Sequence, residues 1–139
     1  AYHAKIAIAD ILGRAFTPAD YSAVPRVTFT DPEVGSVGMS AKEAGEAGLD
    51  VAVGRSTVSV SARGWIHKTG NDGFIQVVAD RQRDALVGAT SMGPHGGEVL
   101  GMLTLAVHAA TPLGQLRSMI YAYPTFHRGV EDALRDLDA

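Results

Sequence analysis

Residues 73–92 constrain the fold more than any other stretch of this chain. Gly73-Phe74-Ile75-Gln76-Val77-Val78-Ala79-Asp80 has the composition of a strand, Ala85–Met92 reads as another, and four polar residues, Arg81-Gln82-Arg83-Asp84, turn the chain between them. Gly96 and Gly97 follow, and then a helical stretch, Glu98–Ala110, whose Val99, Met102, Leu103, Ala106 and Val107 share one face. Strands cluster in the middle of the chain and helices toward its end. That order predicts an α+β fold, a mostly antiparallel sheet with helices packed on one side.

The flanking segments fit the same plan. Residues 3–14 have helical character, with Ile8, Ile11 and Leu12 on one face and Gly13 at the end. A linker-like stretch from Phe16 to Val24 leads through Pro25 into a strand at Arg26–Thr30, and Asp31-Pro32 signals a turn. Val34–Met39 reads as a short strand. Ser40 with Glu43 three residues on makes a capping box for a helix over Ala41–Ala47, closed by Gly48. Val51, Val53, Arg55 and Thr57 alternate along a further strand, whereas residues 62–72, rich in Gly, Asn and charge, read as a loop excursion. Thr111-Pro112 caps a helix carrying Leu113, Leu116 and Met119.

Bulk properties exclude several functions. A chain of 139 residues suits one domain. Its net charge of −3 supplies no basic field for nucleic acid or anionic lipid. No apolar run nears the ~20 residues needed to span a bilayer, and no charged-apolar-small leader is present, so a cytoplasmic setting is expected. Cysteine is absent, which removes disulfides, thiolate metal sites and thiol nucleophiles from this stretch. No two of His3, His67, His95 and His108 stand at a metal-ligand spacing, and no metal site is expected.

The strongest functional signal is Tyr121-Ala122-Tyr123-Pro124-Thr125-Phe126-His127-Arg128. A residue before proline is pushed out of the helical region, so Tyr123 is extended. Thr125 falls where an N-cap belongs, ahead of Val130, Ala133, Leu134 and Leu137. A proline-stiffened loop would then hold the Tyr123 phenol at a fixed angle beside a helix. His127 is expected at the surface of the first turn, and Glu131 and Asp132 on a solvated face. Trp65 is either an exposed loop anchor or packed beneath its loop, and Met102 and Leu103 belong to a core.

Residues 24–38, Val-Pro-Arg-Val-Thr-Phe-Thr-Asp-Pro-Glu-Val-Gly-Ser-Val-Gly, resemble the opening of the C-terminal dimerisation domain of pyridine nucleotide-disulfide oxidoreductases. Gly73–Asp80, Leu86-Val87-Gly88-Ala89 and Gly93-Pro94-His95-Gly96-Gly97-Glu98 resemble that family's central hairpin and helix start. Tyr123-Pro124-Thr125 stands where many members have His-Pro-Thr. The resemblance runs in order over residues 24–137, and residues 2–14 resemble the helix that ends the FAD-binding domain in the same proteins.

The resemblance implies two units: residues 1–20, the terminal helix of an FAD-binding domain plus linker, and residues 21–139, the dimerisation domain. It further implies a homodimer in which Tyr123, Pro124 and Thr125 contact the flavin of the partner subunit. FAD and NAD(P) would be held by the full-length parent and not by this stretch, which has no Gly-x-Gly-x-x-Gly turn after a strand. Helix Glu98–Ala110 and the segment Leu113–Ile120 are the expected contributors to self-association. Disulfide-reducing members pair the His before the proline with a Glu five residues later; this chain has Tyr123 and Arg128 there. Tyrosine is a poor base at neutral pH, and Arg128 accepts no hydrogen bond. The implied parent is therefore an FAD- and NAD(P)H-dependent oxidoreductase of the quinone reductase or transhydrogenase kind, with Tyr123 its catalytic residue here. A freestanding α+β interaction module without redox activity is the other reading.

Overall fold

The computed structural model describes residues 1–138; the last position of the second expected unit, Ala139, lies outside the described residues. Five strands form one antiparallel sheet: β1 (Pro25–Thr28), β2 (Glu33–Gly38), β3 (Val51–Thr57), β4 (Phe74–Asp80) and β5 (Ala85–Gly93), in the order β1-β2-β5-β4-β3. The β4–β5 pairing is the hairpin expected from residues 73–92, with a bulge opposite Val78/Ala79. Among the described residues six helices accompany the sheet: α1 (Tyr2–Ile11), α2 (Ala41–Glu46), α3 (Ala62–His67), α4 (Gly96–His108), α5 (Leu113–Ser118) and α6 (Arg128–Asp136). The fold is α+β, as the order of elements predicts.

Register decides which side chains make the core. Val37 lies opposite Ala89, Ala89 opposite Val77, and Val77 opposite Gly54, so these residues line one face. Val37, Ile75, Val77 and Leu86 on that face pack with Val99, Leu100 and Leu103 of α4 and Val130, Ala133 and Leu134 of α6. All of them are at most 2% exposed. Each fully buried aliphatic side chain contributes roughly 1.5–3 kcal/mol of transfer free energy, so this layer supplies the main driving force for folding. Leu103 is thus core, and Met102 packs half-buried against it.

Local chemistry sets the ends of the elements. Ser40 and Glu43 form the expected capping box of α2: the Ser40 hydroxyl accepts from the Glu43 N–H, and the Glu43 carboxylate accepts from the Ser40 N–H at 2.7 Å. Helix α4 begins at Gly96, two residues before the expected start, because His95 in the left-handed conformation turns the chain there. Pro112 stands at the cap of α5 and bridges to Ala85.

Residues 62–72 are not simply a loop. Ser61 caps the short helix α3, its hydroxyl accepting from the Gly64 N–H at 3.0 Å. Gly64 conceals this helix in the sequence and is required in it, since a Cβ there would lie 2.0 Å from the Val58 carbonyl oxygen. Helix α1 buries no residue; Ile11 is 81% exposed, and the apolar face formed with Ile8 and Leu12 is uncovered. It is tethered by polar contacts, with the Asp20 N–H donating to the Tyr2 hydroxyl at 2.8 Å and Tyr21 Oη 3.1 Å from His3 Nε2.

Candidate functional site

The Tyr123–Thr125 loop is held from four directions. On its N-terminal side Tyr121 is buried and its hydroxyl donates to the Leu116 carbonyl at 2.9 Å. Burial pushes the Tyr121 phenol up to about 12, with the Glu131 carboxylate adding to the rise and Arg128 opposing it. On its C-terminal side Phe126 is buried, with the Arg63 guanidinium 5.2 Å above its ring and the imidazoles of His67 and His95 at 5.7 and 5.9 Å. A cation over an aromatic face is worth ~0.5–1 kcal/mol where solvent reaches it. Inside the loop the Thr125 hydroxyl donates to the Ala122 carbonyl at 2.7 Å and accepts from the Arg128 N–H at 3.3 Å. Thr125 therefore braces the turn that leads into α6, but the N-cap expected at Thr125 falls at His127, which makes no side-chain capping bond, because the chain takes an extra turn over Phe126-His127 before regular α6 begins at Arg128. The Tyr123–Pro124 peptide is cis.

The fourth hold is the docking of α6 on the edge strand β3. Gly54 lets the helix backbone approach the strand closely: a Cβ there would lie 2.1 Å from the Ala133 carbonyl oxygen. The Ser56 hydroxyl donates to the Gly129 carbonyl at 2.7 Å, and the Arg55 N–H donates to the Asp136 carboxylate at 2.8 Å. The second of these bonds occupies a donor on the otherwise open strand edge, and together they fix where the helix, and the loop before it, must lie.

Tyr123 stands out from this frame. It is 71% exposed, and its hydroxyl makes no hydrogen bond among the described residues. Pro124 is exposed beside it and Thr125 is half-buried. The three expected site residues thus share one surface, with Tyr123 as the projecting group and Thr125 as an internal brace. A cleft of about 90 Å³ borders the loop on one side, lined by Ser61, Arg63, Arg128 and Asp132. A second, of about 300 Å³, borders the other side, lined by Arg63, His95, Glu98 and His127. His127 is half-buried in that wall rather than at the open surface.

Arg128, at the position where the resembled dyad has Glu, is itself held. It pairs with Glu131 and, at 3.6 Å, with Asp132; all three are half-buried, so the expected fully solvated face is replaced by a clamped ion cluster. Arg135 extends it, 3.1 Å from Asp132. Neither carboxylate pairs with His127. A hydroxyl-bearing phenol beside a clamped guanidinium can donate a hydrogen bond and stack; it offers no imidazole–carboxylate relay.

The residue that sequence reasoning missed is Arg63, which touches both clefts and stacks on Phe126. The Ser61 cap ahead of Ala-Arg-Gly was the available signal. Trp65, from the same helix, is 78% exposed and packs beneath nothing. Among the expected contributors to self-association, α4 spends Val99, Leu103, Ala106 and Val107 on the core, while Leu105, Met119 and Ile120 are exposed at 64%, 43% and 95%. No helix among the described residues is long and apolar enough to cross a membrane.

Comparison with known proteins gives this geometry a lineage. The chain is 36% identical over 126 residues to a dihydrolipoyl dehydrogenase of Halobacterium salinarum, an alignment covering 90% of this chain and 26% of that protein. It is 36% identical over 114 residues to a dihydrolipoyl dehydrogenase of Thermus scotoductus, covering 82% and 24%. The chain thus spans about a quarter of these relatives. Its fold matches LpdA from Mycobacterium tuberculosis with a TM-score of 0.85 at 21% identity, over 97% of this chain and 29% of that one. It also matches the HOCl-induced flavoprotein disulfide reductase RclA from Escherichia coli, with a TM-score of 0.83 at 23% identity over 94% and 30%. The profile of the pyridine nucleotide-disulphide oxidoreductase dimerisation domain covers residues 24–134, from the strand that opens the sheet to the helix that follows Tyr123, and the chain belongs to that family.

Proposed function

We propose that this chain is the homodimerisation domain of an FAD- and NAD(P)H-dependent oxidoreductase, and that it presents Tyr123 to the flavin of the partner subunit. The observation that carries the reading is an exposed phenol on a loop whose two flanking aromatics, Tyr121 and Phe126, are buried. Such a loop projects one side chain at little entropic cost, which is what a group completing a site across an interface requires. Residues 1–20 then belong to a preceding FAD-binding unit and residues 21–139 to the dimerisation domain. The uncovered face of α1 supports that division.

The described residues include no Gly-x-Gly-x-x-Gly turn after a strand to cradle the cofactors' pyrophosphate. The start of α4, the longest helix among the described residues, is already filled: the Gly97 N–H donates to the Glu33 carboxylate at 2.9 Å. A carboxylate there repels a phosphate. FAD and NAD(P) would be bound by other parts of the parent, and this chain purified alone carries none. Bound flavin would supply two-electron chemistry; Tyr123 would donate a hydrogen bond to it, with Pro124 fixing the angle and Thr125 bracing the turn. A cytoplasmic setting suits a chain that holds no disulfide.

Two measurements test the reading. Light scattering on the eluting peak of a gel-filtration column shows a dimer at tens of micromolar if the dimerisation role is right, and a clean monomer argues against it. In the full-length protein, Tyr123→Phe lowers NAD(P)H-dependent quinone or dye reduction less than about tenfold, since loss of a true acid-base group costs roughly a hundredfold or more. Brisk disulfide turnover abolished by that one substitution would overturn the assignment and give the tyrosine the role of the missing histidine.

A further inference from the structure

We propose that Arg63, with His95 and His127, forms an oxyanion-binding site beside the Tyr123 loop that takes the carboxylate or phosphate of an anionic electron acceptor. Arg63 is half-buried, yet no carboxylate among the described residues lies within ion-pairing distance of it and its guanidinium makes no hydrogen bond. That sets it apart from Arg128, whose charge is spent on Glu131 and Asp132. Its plane is steadied by the Phe126 ring at 5.2 Å, so its donors are held in place before any ligand arrives.

Position makes the unpaired charge useful. Arg63 borders the clefts on both sides of Pro124-Thr125, and the larger, of about 300 Å³, has His95 and His127 on its walls. An imidazole offers an N–H donor in either protonation state, so the cleft gathers a guanidinium fork and two ring donors. One group opposes: Glu98 lines the same cleft, held in the first turn of α4 where the helix dipole favours a carboxylate. Guanidinium forks match the geometry of carboxylate and phosphate oxygens, which sets the ligand class. The assignment to an electron acceptor rests on the oxidoreductase reading above; the oxyanion site itself does not.

The test has two arms that fail independently. In the first, inorganic phosphate is titrated into the purified chain and backbone amide shifts are followed, with chloride at matched ionic strength as control. Saturable shifts at Arg63, His95 and His127 are expected. Arg63→Gln should weaken binding about tenfold or more, and Glu98→Gln should tighten it roughly two- to fivefold. Shifts that chloride reproduces, or that neither substitution alters, overturn the site, and Glu98→Gln decides the matter even if Arg63→Gln does not fold.

In the second arm the full-length protein reduces a matched pair of benzoquinones, one bearing a carboxylate. Each takes two electrons and two protons to become a hydroquinone, as NAD(P)H loses a hydride and the second proton comes from solvent. The ratio of kcat/KM for the anionic over the neutral quinone should fall about tenfold in Arg63→Gln. If instead the KM for NAD(P)H rises and that ratio holds, the oxyanion is the nucleotide's phosphate and the acceptor assignment is overturned. If no quinone is reduced at all, the oxidoreductase reading fails while the phosphate titration still decides the site.

Discussion

Replacing Gly54 by alanine tests how the loop is held in place, without touching the loop. The new Cβ would lie 2.1 Å from the Ala133 carbonyl oxygen, 2.9 Å from the Leu137 nitrogen and 3.1 Å from the Leu137 Cγ. Ordinary carbon–oxygen contact needs about 1.5 Å more than the first of these, and the obstacle is helix backbone, which cannot rotate away. Helix α6 must therefore move off β3. Overpacking of this kind costs roughly 1–3 kcal/mol. The movement also strains the Ser56–Gly129 and Arg55–Asp136 hydrogen bonds, at 2.7 and 2.8 Å. Losing part of both, one to a charged acceptor, adds about 1–3 kcal/mol. A total of about 2–6 kcal/mol would remove a large share of the ~5–15 kcal/mol that stabilises a domain of this size. Urea unfolding followed by far-UV circular dichroism, at fixed protein concentration, reads the change. Gly45→Ala is the control: nothing lies within 4 Å of a Cβ at that helical position, so it should stabilise by up to ~1 kcal/mol. A Gly54→Ala loss below about 1 kcal/mol, with the control behaving as expected, would refute the claim that backbone contact at Gly54 seats α6.

Burial holds the Tyr121 phenol protonated up to about 12, against an ordinary value of 10.0. A group whose pKa is raised by folding contributes stability that is fully present below the unfolded value and lost as pH climbs through the folded one, here between about pH 10 and 12. Two units correspond to ~2.7 kcal/mol at face value and about 1–2 kcal/mol once solvent screening is allowed for. Alkaline unfolding curves should show that loss in the wild type and a shallower one in Tyr121→Phe; identical curves would mean the phenol is not held as described. At α2, Ser40→Ala removes the hydroxyl that accepts from the Glu43 N–H and should cost about 1 kcal/mol in the same urea assay. An unchanged midpoint would show that the cap contributes nothing to global stability.

The elements legible in the sequence were those whose reasons are local. The hairpin of residues 73–92 announced itself through alternation and a polar turn, and the α2 capping box through two residues three apart. Tyr123-Pro124-Thr125 drew attention for the same reason, since proline restricts its neighbour whatever the rest of the chain does, but the cis peptide found there was not foreseen. Helix α3 was hidden because Gly64, unfavourable in a helix, is demanded there by the Val58 carbonyl, which the turn at Val58–Ser61 folds back against the helix. Arg63 was invisible as a site residue, because its contact with Phe126 joins distant parts of the sequence and exists only once α3 folds beside the loop. The fate of Arg128 was likewise undecided: helical spacing allowed ion pairs to Glu131 and Asp132, but their partial burial, a tertiary fact, made them a clamp rather than a solvated face. Local propensity and pattern thus determined which segments fold and how they begin and end. The packing of α6 against Gly54 decided which side chains meet, because side-chain proximity across a sheet follows from register and close approach, and neither is written in any single stretch of the chain.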